Sequence, residues 1–220
     1  TIAVADAIMN NREYSVVFRE YAREHPLAGY GGSFISWVDN SDAGPYNSWG
    51  NGSAMRVSPV AWLFDSLEEV EVEAEKSAAA THNHPEGVKG AQAIASSIFM
   101  ARKGYSKEEV KKYVEDKFGY DLNRTIDEIR PTYEFDNSCQ KTVPEAIIAF
   151  LESDDYESCI RKAISIGGDS DTIAAMSGSI AEAHYKYIPQ EILDGAFEIF
   201  NKIPKFVEIF NQFQKTKKEL

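Results

Sequence analysis

A chain of 220 residues is long enough to bury one substantial core, and one domain spanning 1–220 is the expectation. With 43% hydrophobic and 26% charged residues it has the composition of a folded globule, which excludes a disordered or fibrous chain. The net charge of −12, from 35 acidic against 23 basic residues, repels polyanions and excludes broad nucleic-acid or anionic-membrane binding. A small phosphorylated ligand held by backbone amides stays compatible with that charge. Cys139 and Cys159 are too few for a disulfide framework and too far apart for a zinc motif. Apolar runs fall short of the roughly 18 residues that a membrane span needs. No basic-then-apolar leader precedes the body. A cytoplasmic setting is expected.

In chain order, residues 1–24 carry Ile2, Ala5, Ile8, Met9, Val16, Val17 and Tyr21 at helical spacing, and His25-Pro26 should end that helix. Residues 29–59 interleave glycines with Tyr30, Phe34, Trp37, Tyr46 and Trp49, which predicts a long structured loop with at most short helices. Long ordered loops inside a domain usually serve function. Helices are predicted over 58–64, 67–80, 86–102 and 107–117, the last opened by a Ser106-Lys107-Glu108-Glu109 capping box. Residues 118–140 are mixed. Pro144 is placed in the first turn of a helix ending at Leu151. Residues 154–166 form a helix stopped by Gly167-Gly168, another covers about 171–185, and Pro189 and Pro204 open the last two. No stretch alternates as a strand does, so the class is all-α.

Three segments can carry chemistry. Gly167-Gly168-Asp169-Ser170-Asp171-Thr172 sets two carboxylates and a hydroxyl between a glycine pair and a helix. Oxygen-only donors suit Mg²⁺, with Mn²⁺ an option, rather than zinc; the same residues also suit ordinary helix caps. Thr81-His82-Asn83-His84-Pro85 holds two of the four histidines in a pre-helix turn. Imidazoles there can bind a metal or donate to phosphate or ribose, or be incidental to a cap. The helix that follows is lined by Gly87, Gly90, Ala91 and Ala95, so a neighbour or ligand can approach closely. The third segment, Tyr46 to Arg56, has glycines flanking Asn51 that free backbone amides to face an anion, with Trp49 or Tyr46 available to stack on a base. Taken alone, it reads more readily as a turn-rich connector whose aromatics fill the core. Arg56 can pair with a phosphate, though arginines so placed more often satisfy carbonyls or a carboxylate. Cys139 lacks a nearby histidine and reads as a buried thiol rather than a nucleophile.

Taken in order, these segments resemble the ADP-ribosylglycohydrolase family. The matching stretches are Thr1-Ile2-Ala3-Val4-Ala5-Asp6-Ala7, Ser48-Trp49-Gly50-Asn51-Gly52-Ser53-Ala54-Met55-Arg56, Thr81-His82, Cys139 with Val143-Pro144-Glu145-Ala146, and Gly167 to Ala175. The resemblance implies a compact all-α fold whose cleft holds two Mg²⁺ ions, with Asp169, Asp171 and Thr172 as ligands. It implies that Ser48, Trp49, Gly50, Asn51 and Gly52 line an ADP-ribose cleft with His82 near the phosphates or distal ribose. Gly31 and Gly32 are a weaker match to another ligand-lining loop. In the family a Thr-Asp-Asp motif directly precedes the helix that Thr1 begins and supplies the remaining metal ligands. This sequence does not contain it, and N-terminal truncation is the expectation.

The implied reaction is hydrolysis at the anomeric carbon of ADP-ribose on a protein side chain or related conjugate, through an oxocarbenium-like transition state. Asp169 and Asp171 are the expected catalytic, metal-anchoring carboxylates. Two other readings compete. One is an inactive ADP-ribose-binding or structural homologue of the same fold; the other is an unrelated metallohydrolase using His82, His84, Asp169 and Asp171 together.

Overall fold

The structure is a computed structural model that describes residues 1–219, with side chains described through Lys217. Fourteen helices and one isolated bridge, Gly50 to Ser138, make up the regular structure of the described residues. The all-α expectation holds. The centre is α7 (Pro85–Arg102), twelve of whose eighteen residues are buried, so it is sheathed on nearly all sides rather than amphipathic. Around it pack α4 (Gly52–Met55), α6 (Leu67–Ala79), α10 (Cys139–Leu151) and α12 (Ser170–Tyr185).

Small residues make that crowding feasible. A Cβ on Gly90 would lie 2.5 Å from the Cys139 sulfur, and one on Gly87 would lie 2.6 Å from the Ser48 carbonyl oxygen. The predicted close approach along this helix is therefore real, and it brings the 46–52 and 139 segments against α7.

Helix starts follow local chemistry. Ser106 and Glu109 form the predicted capping box of α8 (Lys107–Phe118), and Ser66 with Glu69 does the same for α6. Gly167, at φ 82°, closes α11 (Tyr156–Ile166) in a backbone region that a side chain would strain.

Two predicted helices are redrawn. Residues 1–24 form α1 (Ile2–Met9) and α2 (Tyr14–Glu24), broken where Asn11 takes φ 47°, a left-handed conformation that asparagine tolerates. The turn lets α2 fold back, so that the Tyr21 hydroxyl donates to buried Asp6 at 2.9 Å and Asn10 donates to it at 2.8 Å. Second, α10 starts at Cys139, five residues before Pro144, which lies inside the helix. The proline removes the donor that would reach the carbonyl of Gln140, and Gln140 is exposed, where water can serve instead. The glycine-aromatic stretch contains one eight-residue helix, α3 (Gly32–Asp39), and otherwise runs as the expected loop into α4.

Candidate functional site

The loop 46–52 is clamped from three directions. From the 81–84 turn, the Asn83 side chain accepts from Asn47 N–H at 2.8 Å, while Asn47 itself sits at φ 53°. From the start of α10, Asn137 O accepts from Asn51 N–H at 2.8 Å, and Trp49 O accepts from Cys139 N–H at 2.9 Å. The Cys139 thiol donates to Gly50 O at 3.1 Å. From the start of α12, Asp169 Oδ2 accepts from Asn51 Nδ2 at 2.7 Å. Segments separated by up to 118 residues thus meet on Asn51, which is 6% exposed.

The sequence left Asp169 as either a helix cap or a ligand. It occupies the N-cap position of α12, but its side chain makes no capping bond and turns to Asn51 instead. Asp171 Oδ1 accepts from the N–H of Thr172, and the Thr172 hydroxyl faces the Met55 sulfur at 3.8 Å. Gly168, at φ 60°, lies under Tyr133, whose ring carbon would be 2.6 Å from an added Cβ. Tyr133 therefore roofs the acidic turn, a role that nothing in its sequence neighbourhood signals.

Asp169, Asp171 and Thr172 offer hard oxygens on one short turn, the donor type that fits Mg²⁺. Among the described residues no three of the His, Cys, Asp and Glu side chains gather closely enough to hold an ion together. The donor set therefore fits one side of a metal site. The mixed site of His82, His84, Asp169 and Asp171 is not formed: His84 Nδ1 is the N-cap acceptor of α7, taking the Glu86 N–H at 3.1 Å.

The expectation of ligand-facing amides in the loop narrows. Asn47 N–H goes to the Asn83 side chain, Ser48 N–H to Thr81 O, Gly50 N–H to Ser48 Oγ and Asn51 N–H to Asn137 O, leaving Tyr46, Trp49 and Gly52 as the loop amides without a partner among the described residues. Trp49 is 54% exposed and meets His84 edge to face. With exposed Phe135 and with Asn137 and Ser138 it borders a recess of about 420 Å³. Phe135 and Asn137 enter the site because their segment pairs with Gly50, a contact outside the reach of local sequence reading.

His82 is buried beneath the loop, with Nδ1 2.7 Å from Thr81 Oγ1. Burial, helped by the charge of Arg56, pushes its pKa down to about 3, so the ring is neutral. Arg56 donates to the Ser77 carbonyl and the Thr81 hydroxyl, both at 3.0 Å, which bears out its reading as a residue that satisfies carbonyls. Burial pushes the Cys139 thiol up to about 12, consistent with a structural sulfur. Gly31 and Gly32 stand at the exposed start of α3, with no hydrogen bond among the described residues tying them to this loop.

A helical shell packs around α7, and a glycine loop is bonded across it to an acidic helix start. Residues 1–219 match the ADP-ribosylglycohydrolase family, and the chain belongs to it. It is 30% identical to the ADP-ribosylhydrolase ARH3 of Homo sapiens over 63% of this chain and 50% of that protein. It is 28% identical to the ADP-ribosylarginine hydrolase Tri1 of Pseudomonas putida over 74% of this chain and 45% of that one. The chain thus spans about half the length of these curated relatives. In structure it is similar to a chain of an "ADP-ribosylglycohydrolase-related protein complex", with a TM-score of 0.67 at 21% identity, covering 98% of this chain and 75% of that one. At that identity the likeness speaks for the fold. No helix among the described residues is long and apolar enough to cross a membrane.

Proposed function

We propose a Mg²⁺-dependent hydrolase function for this chain, the removal of ADP-ribose from a modified protein side chain or a related conjugate. The observation that carries the reading is the 2.7 Å bond from Asn51 to Asp169, which joins the glycine loop to the acidic turn as one site. In this reading Asp169, Asp171 and Thr172 hold the metal from one side. Bound there, Mg²⁺ would supply positive charge to polarise the sugar oxygens and acidify a water.

The chain's own residues then do the following. Asn51 spends its amide on one oxygen of Asp169, so the other oxygen is free to face a cation, and the carboxylate is fixed in orientation. Ser48 to Gly52 form the floor against which ADP-ribose lies, because two glycines leave the backbone unobstructed. Trp49, half exposed at the rim, presents a flat apolar face to a base. His82 adds a neutral polar contact from below. The negative surface charge of the chain makes such neutral and metal-mediated contacts the means by which a diphosphate is tolerated.

The test is release of ADP-ribose from an ADP-ribosylated protein by the intact protein, with Mg²⁺ and with chelator. Metal-dependent release that disappears in Asp169→Ala is expected. Binding of ADP-ribose without release would replace this reading with the inactive binding homologue. Neither binding nor release would overturn both.

A further inference from the structure

Arg56 ends α4 and turns inward, its guanidinium lying over the Phe18 ring at 4.3 Å. No carboxylate among the described residues pairs with it; its two hydrogen bonds go to Ser77 O and Thr81 Oγ1. A buried cation without an anion is costly, and here its field falls on one group in particular, the hydroxyl of fully buried Thr81.

A guanidinium only donates. Thr81 Oγ1 must therefore turn a lone pair toward Arg56, and the same positive charge drives the hydroxyl proton to the opposite side. Among the described residues, His82 Nδ1, at 2.7 Å, is the acceptor that this hydroxyl has in hydrogen-bonding geometry. A hydrogen on Nδ1 would aim a second donor at the oxygen Arg56 already uses, with like partial charges facing each other. The arrangement favours Nδ1 as acceptor, which leaves the proton of the neutral ring on Nε2.

Nε2 lies under the glycine pair. A Cβ at Gly52 would stand 3.0 Å from it, closer than ordinary packing allows, and one at Gly50 would touch it at 3.5 Å, so the ring edge lies directly against the loop. No group among the described residues bonds Nε2. It is an unspent donor at the floor of the loop.

We propose that Arg56 and Thr81 are positioning residues that lock His82 as its Nε2–H tautomer, which donates a neutral hydrogen bond to an acceptor oxygen of the ligand held by Gly50–Gly52. The opposite tautomer would offer a lone pair at the same point and select a ligand hydroxyl instead of a phosphate or ring oxygen. The relay is a property of the free protein; its ligand rests on the ADP-ribose reading above. Burial under α4 and the Arg56 charge keep the ring from becoming an imidazolium, so the donor stays neutral.

The experiment is ¹⁵N NMR of histidine-labelled intact protein, with His82 assigned by loss of its signals in His82→Asn, followed by titration with ADP-ribose. An Nε2–H pattern unchanged from pH 8 to pH 5 is expected for the wild type. Thr81→Val should mix the tautomers and weaken ADP-ribose about 10-fold, the effect of one hydrogen bond, and Thr81→Ser should restore both. An Nδ1–H or imidazolium pattern in the wild type overturns the proposal, as does an unchanged tautomer in Thr81→Val. The wild-type spectrum decides even if Thr81→Val fails to fold. An Nε2–H pattern in a protein that does not bind ADP-ribose supports the relay and removes the ligand reading.

Discussion

Asn51 and Asp169, 118 positions apart, are joined by a 2.7 Å bond in which the amide donates to one oxygen of the carboxylate. The Asn51 backbone is itself anchored, its N–H donating to Asn137 O, so the loop side of the pair is held in place. The pair fixes a distance between the glycine loop and the start of α12. Asn51→Ala should lower kcat/KM for ADP-ribose release by roughly 10- to 100-fold, the worth of one hydrogen bond to a charged group. Asn51→Asp should lose more, because it faces two carboxylates at the same place. Kinetics on an ADP-ribosylated protein check both, and wild-type rates in Asn51→Asp would refute the coupling.

His82 makes folding sensitive to acid. Its pKa in the folded chain, about 3, lies below the ordinary value of 6.5, so between those limits the unfolded chain binds a proton that the folded chain refuses. Stability is therefore lost as pH falls from 6.5 toward 3, by roughly 1.4 kcal/mol per pH unit from this group. Carboxylates titrate in the same window. The informative quantity is the difference between wild type and His82→Asn in urea unfolding at pH 7 and pH 5. His82→Asn should show the shallower slope, and equal slopes would contradict a neutral buried ring.

Gly90 and Cys139 are a packing pair. Gly90→Ala puts a methyl where the sulfur already stands, 2.5 Å away, and both atoms belong to helices that have little room to part. A loss of about 1–3 kcal/mol in denaturant unfolding is expected. Cys139→Ala should recover part of it when combined with Gly90→Ala, since it removes the nearer obstructing atom while leaving the Cβ at 2.8 Å. Additive losses in the double variant would disprove the clash. The native thiol should also react with iodoacetamide at pH 8 far more slowly than in urea, because burial holds its pKa up at about 12.

Glu145 is 3% exposed and takes one bond from Arg124 at 2.8 Å, while its other oxygen has no partner among the described residues. Burial raises its pKa above the ordinary 4.5, and Arg124 opposes that rise. A carboxyl with a raised folded pKa binds more protons folded than unfolded, so its contribution weakens as pH rises. Arg124→Met enlarges the raise. It should cost about 1–3 kcal/mol at pH 8 and less at pH 5, because lower pH favours the neutral carboxyl that burial already favours. An equal loss at both pH values would show that Arg124 matters for packing alone.

Local chemistry made much of the architecture legible without coordinates. Ser106 with Glu109, Gly167 after Ile166, and the small residues at 87 and 90 act within a few positions of themselves, and the sequence by itself determined their roles. It also determined the helical class, and the order of its motifs resembled the family that the chain belongs to. Distance in sequence marks where that legibility stopped. Whether Asp169 caps a helix or turns outward depends on an amide 118 residues away. Tyr133 over Gly168, Asn83 under Asn47, and Arg56 beside Thr81 are likewise partners that only the packing of separate helices brings together. The break at Asn11, within a run that reads as one helix, and the place of Pro144 inside α10 rather than in its first turn have the same reason: a buried bond to Asp6 and an exposed Gln140 carbonyl decide them, and neither is a property of the local run. Periodicity reports the face a residue turns to the core. Only the tertiary structure says which other face it meets, because hydrogen bonds and close contacts depend on separations in space that the chain order does not contain.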